Sequence, residues 1–226
     1  MNPMPLEILY EDNHLLAVLK PAGLATMGLP DNKPTLLTAA KEYIGDRYDK
    51  PGNVYLGVVS RLDAPVTGVV LFARTSKAAR RLTEQFRARS VRKVYWALVE
   101  GCVEPLSDEW VNWVCHDERH RRVHVVGPTH PGAKEARLSY RRLDFRDGIS
   151  QLELEPETGR KHQIRVQLAD RGHPIRGDRK YGSQHQFPAG IALHARRLEI
   201  NHPVLHERVS LEAPLPEAWG RFGVRG

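Results

Sequence analysis

Two apolar, β-branched segments, residues 54–59 and 69–73, flank the stretch Ser60-Arg61-Leu62-Asp63-Ala64-Pro65-Val66-Thr67-Gly68. Both flanks read as buried strands bounded by turn residues. Pro65 and Gly68 predict the turn between them. The chain must therefore fold with a carboxylate, and an arginine two residues before it, at the junction of two buried strands. An unpaired charge in such a place is expensive. Asp63 is either a turn cap or a functional group, and on turn chemistry alone the cap is the more frequent explanation.

The rest of the chain supplies the surroundings of that turn. Residues 6–9 and 15–19 predict a strand pair around Glu11-Asp12-Asn13, and Lys20-Pro21-Ala22-Gly23 forces a turn after it. Residues 36–48 predict a helix with Leu36, Leu37, Ala40 and Ile44 on one face. Residues 76–90 predict a second, whose apolar stripe is Ala78, Ala79, Leu82 and Phe86 and whose other faces carry arginines. Strands are then predicted at 94–100, 109–115, 121–126, 134–143 and 149–155, with Asp147-Gly148 as a hairpin turn. A helix is expected over 160–171, with Thr158 as its N-cap and Gly172 past its end. Further strands are expected at 192–200 and 209–211. Adjacent strands with few helices predict an α+β fold with a mixed, largely antiparallel central sheet flanked by a few helices.

Charge is distributed unevenly. The chain of 226 residues carries a formal net charge of +7. Arg74, Lys77, Arg80, Arg81, Arg87, Arg89, Arg92 and Lys93 oppose Glu84 alone, so this short run accounts for the whole excess. A second cluster joins Arg160, Lys161, Arg165, Arg171, Arg176, Arg179 and Lys180 against Asp170 and Asp178. One such run is as well explained by a solvated helix face; two, each near a candidate site, point to a polyanion such as nucleic acid. No apolar run is long enough to span a bilayer, and the N-terminus lacks the pattern of a signal peptide. Two cysteines, Cys102 and Cys115, suit a reducing cytoplasm.

Four segments line up beyond this: Tyr10-Glu11-Asp12 with Lys20-Pro21-Ala22-Gly23; Arg61-Leu62-Asp63 with Gly68; residues 93–101, KVYWALVEG; and residues 158–166, TGRKHQIRV, running on into Gly172-His173-Pro174-Ile175-Arg176-Gly177-Asp178 and Tyr181-Gly182. Leu193-His194-Ala195 and His202-Pro203 follow. With these blocks in this order, from about residue 8 to 214, the chain resembles the RluA-type family of RNA pseudouridine synthases, in a short form without an N-terminal S4 RNA-binding domain.

The resemblance implies one catalytic domain over residues 1–226, built of two closely packed halves around a central cleft. It implies isomerisation of specific uridines in structured rRNA or tRNA, without a cofactor and without a metal, by a cytoplasmic monomer. Asp63 matches the family's catalytic carboxylate. Arg165 matches the arginine that would pair with it, and a guanidinium suits a carboxylate because it forks and stays charged. Tyr95 matches the active-site tyrosine, whose ring can stack on uracil and whose hydroxyl can join a late proton transfer. Arg61 matches the side chain that fills the gap left by a flipped base. Arg80, Arg87, Arg89, Lys93, Arg160 and His162 are the expected RNA contacts. The chain departs from the family at Ser60 and Lys161, where His and Thr are usual, at Val66-Thr67, usually Thr-Ser, and at Gln167, usually His; activity with altered loop contacts is the expectation.

Rival readings are weaker. Cys115, His116, His120 and His124 suggest zinc, and the histidines, four residues apart, would share one helical face, but their surroundings predict strands that would scatter them. Residues 172–177 imitate a phosphate loop, yet Asp178-Arg179 stand where Lys and Ser/Thr are required. A glycoside hydrolase would normally need a second carboxylate. The alternative of another class is an RNA-binding protein of the same fold without activity.

Overall fold

The computed structural model describes residues 6–28 and 33–224; Met1–Pro5, on which most of the N-terminal reading rests, lie outside them. The chain divides into two compact units, Met1–Val91 with Ala195–Pro216 and Gly226, and Arg92–His194 with Glu217–Arg225. Both are largely antiparallel β-structure with few helices, as predicted. Among the described residues no helix is long and apolar enough to cross a membrane.

The first unit contains strands β1 (Glu7–Glu11), β2 (Leu15–Lys20), β3 (Gly57–Val58), β4 (Thr67–Ala73), β10 (Leu193–Asn201, from Ala195 on) and β11 (Arg208–Glu212). Its helices are α1 (Leu36–Arg47) and α2 (Ser76–Arg87). The strand order is β1-β2-β4-β10, with β3 beside β4 and β11 beside β10. The apolar runs of β2 and β4 are continuous because both faces are covered. Leu15, Ala17, Val69, Leu71 and Ala73 face a core shared with Ala78 and Leu82 of α2. Leu16, Val18, Val70 and Phe72 face another, shared with Leu36, Ala40 and Ile44 of α1.

The strand predicted over 54–59 shrinks to the two residues of β3. At its C-terminal end the reason is local: the next ladder donor, Leu71 N–H, goes to the Ser60 hydroxyl at 2.9 Å, so pairing ends at Val58 opposite Phe72. At the β1–β2 turn, Asp12 Oδ1 accepts from His14 N and Leu15 N, each at 2.7 Å. Asp12 Oδ2 meets Nε2 of the buried His202 at 2.7 Å. His202 Nδ1 accepts from Val204 N and Leu205 N, which puts the ring hydrogen on Nε2.

The second unit contains β5 (Arg92–Glu100), β6 (Ser107–Asp117), β7 (Arg122–Val126), β8 (Lys134–Arg146), β9 (Ile149–Pro156) and α3 (Gln163–Asp170), in strand order β5-β9-β8-β6-β7. Strand β9 alternates between buried and half-buried along its whole length, the signature of a sheet covered on one face. Asp147 and Gly148 take positive φ angles of 52° and 73°, as the predicted two-residue hairpin requires.

Helix α3 starts later than predicted, and Thr158 is not its N-cap. The Thr158 hydroxyl instead accepts from Arg137 N at 2.9 Å and donates to Gln163 Oε1 at 2.7 Å. Gln163 Oε1 also takes Arg160 N–H at 3.0 Å. His162, with φ of 52°, is the residue that enters the helix.

Candidate active site

The Asp63 turn belongs to the first unit. Val66 N–H closes it on Asp63 O at 3.0 Å. Thr26 Oγ1 donates to Leu62 O at 3.0 Å and accepts from Leu62 N at 3.2 Å. Gly23 N–H reaches Ala64 O at 2.8 Å. Gly68, with φ of +119°, begins the return into β4, and a Cβ on it would lie 2.3 Å from Ala195 O and 2.6 Å from Ala195 N of β10. Only glycine lets the two backbones approach this closely.

Beneath the turn lies a group that the sequence reading passed over. Lys20 ends β2 and is fully buried. Its Nζ donates to Pro21 O at 2.8 Å, Leu24 O at 2.7 Å and Ala64 O at 3.0 Å. An ammonium has three donors and no acceptor, so these three carbonyls saturate it. Burial pushes its pKa down to about 8, and the negative charge of Asp63 pulls the other way. The signal available in the sequence was an ionisable residue continuing an otherwise apolar strand, directly before Pro-Ala-Gly. Ser60, where the chain leaves the expected pattern, keeps a fixed role by capping Leu71 N–H.

Arg61 is exposed beside this turn. Arg80, Arg87 and Arg89, on and just after α2, are exposed too, while Ala78 and Leu82 are buried beneath them. Arg81 does not join that outer face; its Nη1 is bound to Pro203 O at 2.5 Å.

Tyr95 and Arg165 belong to the second unit. Tyr95 sits in β5 opposite Leu154 of β9 and is half-buried. Arg165 is 5% exposed on α3. Its guanidinium forks onto Asp178, Nε to Oδ2 at 2.7 Å and Nη2 to Oδ1 at 2.8 Å. Asp178 is 1% exposed. The Arg165 guanidinium also lies 5.0 Å from the centre of the Tyr181 ring. A bidentate pair fixes the plane of a guanidinium as well as its position. Asp178 is therefore the residue that orients Arg165. It stands in the turn opening the short helix Arg179–Tyr181, where its carbonyl takes Tyr181 N at 2.9 Å and Ser183 N at 3.1 Å.

The remaining expected RNA contacts are anchored. Lys93 Nζ reaches Glu157 O and Thr158 O, both at 3.3 Å. Arg160 Nε donates to Glu135 O at 2.8 Å. His162 Nδ1 lies 2.8 Å from the Tyr181 hydroxyl. Gln167 donates its amide to Asn112 Oδ1 at 2.9 Å and Ala136 O at 3.2 Å, a packing role inside the second unit.

Residues 14–170 match the family described as RNA pseudouridylate synthase. The tRNA pseudouridine synthase C of Salmonella typhi is 33% identical over 249 residues, covering 98% of this chain and 91% of that protein. The ribosomal large subunit pseudouridine synthase D of Pseudomonas aeruginosa is 34% identical over 227 residues, covering 94% of this chain and 69% of its own length. An uncharacterized RNA pseudouridine synthase of Synechocystis is 36% identical, and the match spans 66% of it. Among solved structures, the human RNA Pseudouridylate Synthase Domain Containing 4 superposes with a TM-score of 0.80 at 25% identity, covering 97% of this chain and 95% of that one.

Proposed function

This chain belongs to the RNA pseudouridylate synthase family, and we propose that it isomerises uridines in structured RNA, ribosomal or transfer, to pseudouridine. The bond from ribose C1′ to uracil N1 breaks, the base reorients, and C1′ bonds to C5. The proton on C5 is lost and one is gained at N1, so atoms and electrons balance within the substrate. Asp63 is the reacting carboxylate, attacking the sugar or base or taking a proton from C2′. Arg165, oriented by Asp178, supplies the positive charge that keeps a carboxylate ionised against desolvation. Tyr95 presents a ring for base stacking, worth ~1–3 kcal/mol, and a hydroxyl for the transfer from C5. Arg61, exposed beside the turn, occupies the gap left by the extruded base.

The observation that carries the reading is the construction around Asp63. A buried ammonium and a threonine side chain act on the residues on either side of one carboxylate, Ala64 and Leu62, and Gly23 N–H joins the ammonium on Ala64 O. Turn-capping alone calls for none of these. Tritium release from RNA carrying 5-tritiated uridine tests the activity. Asp63→Asn is expected to keep RNA affinity and abolish release. An active Asp63→Asn enzyme would remove Asp63 from the chemistry, and absence of release by the wild type on total cellular RNA, with binding retained, would leave only an RNA-binding protein.

A further inference from the structure

One feature of the second unit is unused by the proposed chemistry. His120, Arg121, Lys161, His162 and Lys180 line a pocket of about 330 Å³. None of the five is acidic and none is apolar. Three segments bring them together: the turn between β6 and β7, the residues entering α3, and the short helix Arg179–Tyr181.

Four of the five side chains are held in place. Lys180 Nζ donates to Arg121 O at 2.5 Å. Lys161 Nζ lies 2.8 Å from His116 Nε2. An ammonium can only donate, so that imidazole nitrogen accepts. His162 Nδ1 meets the Tyr181 hydroxyl, which also takes Val123 N–H at 3.0 Å. His120 Nδ1 lies 2.6 Å from Asp117 Oδ2, and His120 N–H reaches Asp117 Oδ1 at 3.0 Å; Asp117 is thus already engaged. Arg121 and His162 both hold φ near +50°, at 50° and 52°, a conformation that non-glycine residues adopt at a cost. Cations gathered in one concavity repel each other, and an anion placed among them relieves that repulsion.

We infer that this pocket binds a phosphodiester of the RNA strand. The inference rests on the reading that the chain acts on RNA. Lysine and arginine suit phosphate oxygens. A volume near the low end of ligand pockets, about 300–1,000 Å³, suits one phosphate with its flanking sugar oxygens. Lys161 and His162 immediately precede α3, so a phosphate held there sets the register of the strand against the helix that carries Arg165.

The test uses the full chain, a dodecamer of uridylate and, separately, inorganic phosphate. Lys161 and Lys180 are exposed, so Lys161→Gln with Lys180→Gln is expected to melt with the wild type. It should bind the dodecamer about tenfold more weakly, with the slope of log affinity against log salt shallower by about 0.7, the value for one phosphate on a single strand. Lys161→Arg with Lys180→Arg should restore both. Unchanged affinity and slope in the glutamine variant would overturn the inference. So would inorganic phosphate binding that the variant loses while its RNA slope stays the same, since the pocket would then serve a free anion. Tritium release keeps the two readings apart. Release by the wild type with no change in the variant's KM or slope removes the pocket alone. Absence of release with a changed slope removes the isomerase and leaves the pocket.

Discussion

Replacing Lys20 with methionine isolates the electrostatic part of the Asp63 turn. The variant loses three hydrogen bonds from the ammonium, but Ala64 O keeps its bond from Gly23 N–H. Two carbonyls, those of Pro21 and Leu24, lose a charged donor, at about 1.5–3 kcal/mol each. Against this, the fold no longer buries a charge. A pKa pushed from 10.5 to about 8 corresponds to a burial cost of about 3 kcal/mol. The net loss is therefore about 0–3 kcal/mol, and a chain of this size melts about 2–4 °C lower per kcal/mol. Lys20→Met should fold.

Its activity should still fall at least tenfold, about 1.4 kcal/mol of barrier, because a positive charge beside Asp63 is gone. The pH dependence separates this from simple damage. In the wild type the ammonium deprotonates around pH 8, which removes its charge and one of its three donors. Single-turnover tritium release should decline through about pH 8, and Lys20→Met should lack that alkaline limb. Stability moves in the opposite sense. The unfolded chain holds this proton up to about pH 10.5 while the folded chain releases it near 8, so the wild type gains stability relative to the variant across that window. Equal rates and superimposable pH profiles for the two proteins would refute the argument.

Asp178→Asn breaks a buried ion pair, at about 3–5 kcal/mol, and should lower the melting temperature by about 6 °C or more; tritium release should fall while RNA affinity is kept, and unchanged release would deny Asp178 its orienting role. Gly68→Ala drives a Cβ to 2.3 Å from the Ala195 carbonyl oxygen, and circular dichroism should show loss of the native fold; a native-like melt would mean that β4 and β10 can separate without cost. Neutralising Arg80, Arg87 and Arg89 together should weaken RNA binding and flatten its salt dependence by up to about 0.9 per lost phosphate contact on duplex RNA treated like B-DNA, whereas an unchanged slope would make that face merely solvated.

Much of this architecture was readable from residue order, for reasons that can be named. The strands on either side of Asp147-Gly148 and the turn between them were legible because a two-residue hairpin signal is local. The cores above and below β2 and β4 were foreshadowed by their unbroken apolar runs. Local signals failed where one side chain did another's work. Thr158 has the chemistry of an N-cap, but Gln163 folds back onto it, and the helix begins only after His162. The strand ending at residue 59 was cut short by the hydroxyl of Ser60. Family motifs singled out Asp63, Tyr95 and Arg165 as candidates. They could not show that Lys20 closes the Asp63 turn or that Asp178 grips Arg165, since these pairings link positions 44 and 13 residues apart and depend on the completed fold.

The split composition of the first unit bears on how the protein is made. Its strand β4 is neighboured by β10, and Asp12 meets His202 across 190 residues of sequence. Between them runs the whole of Arg92–His194. A ribosome extends a chain at about 5–20 residues per second and domains fold as units, so the open side of β4 waits several seconds for the strand that covers it. The second unit, almost contiguous, has most of its sheet available first. Unit order in the finished chain and order of completion during synthesis are thus reversed, and the interval exposes an apolar strand edge of the kind that chaperones recognise.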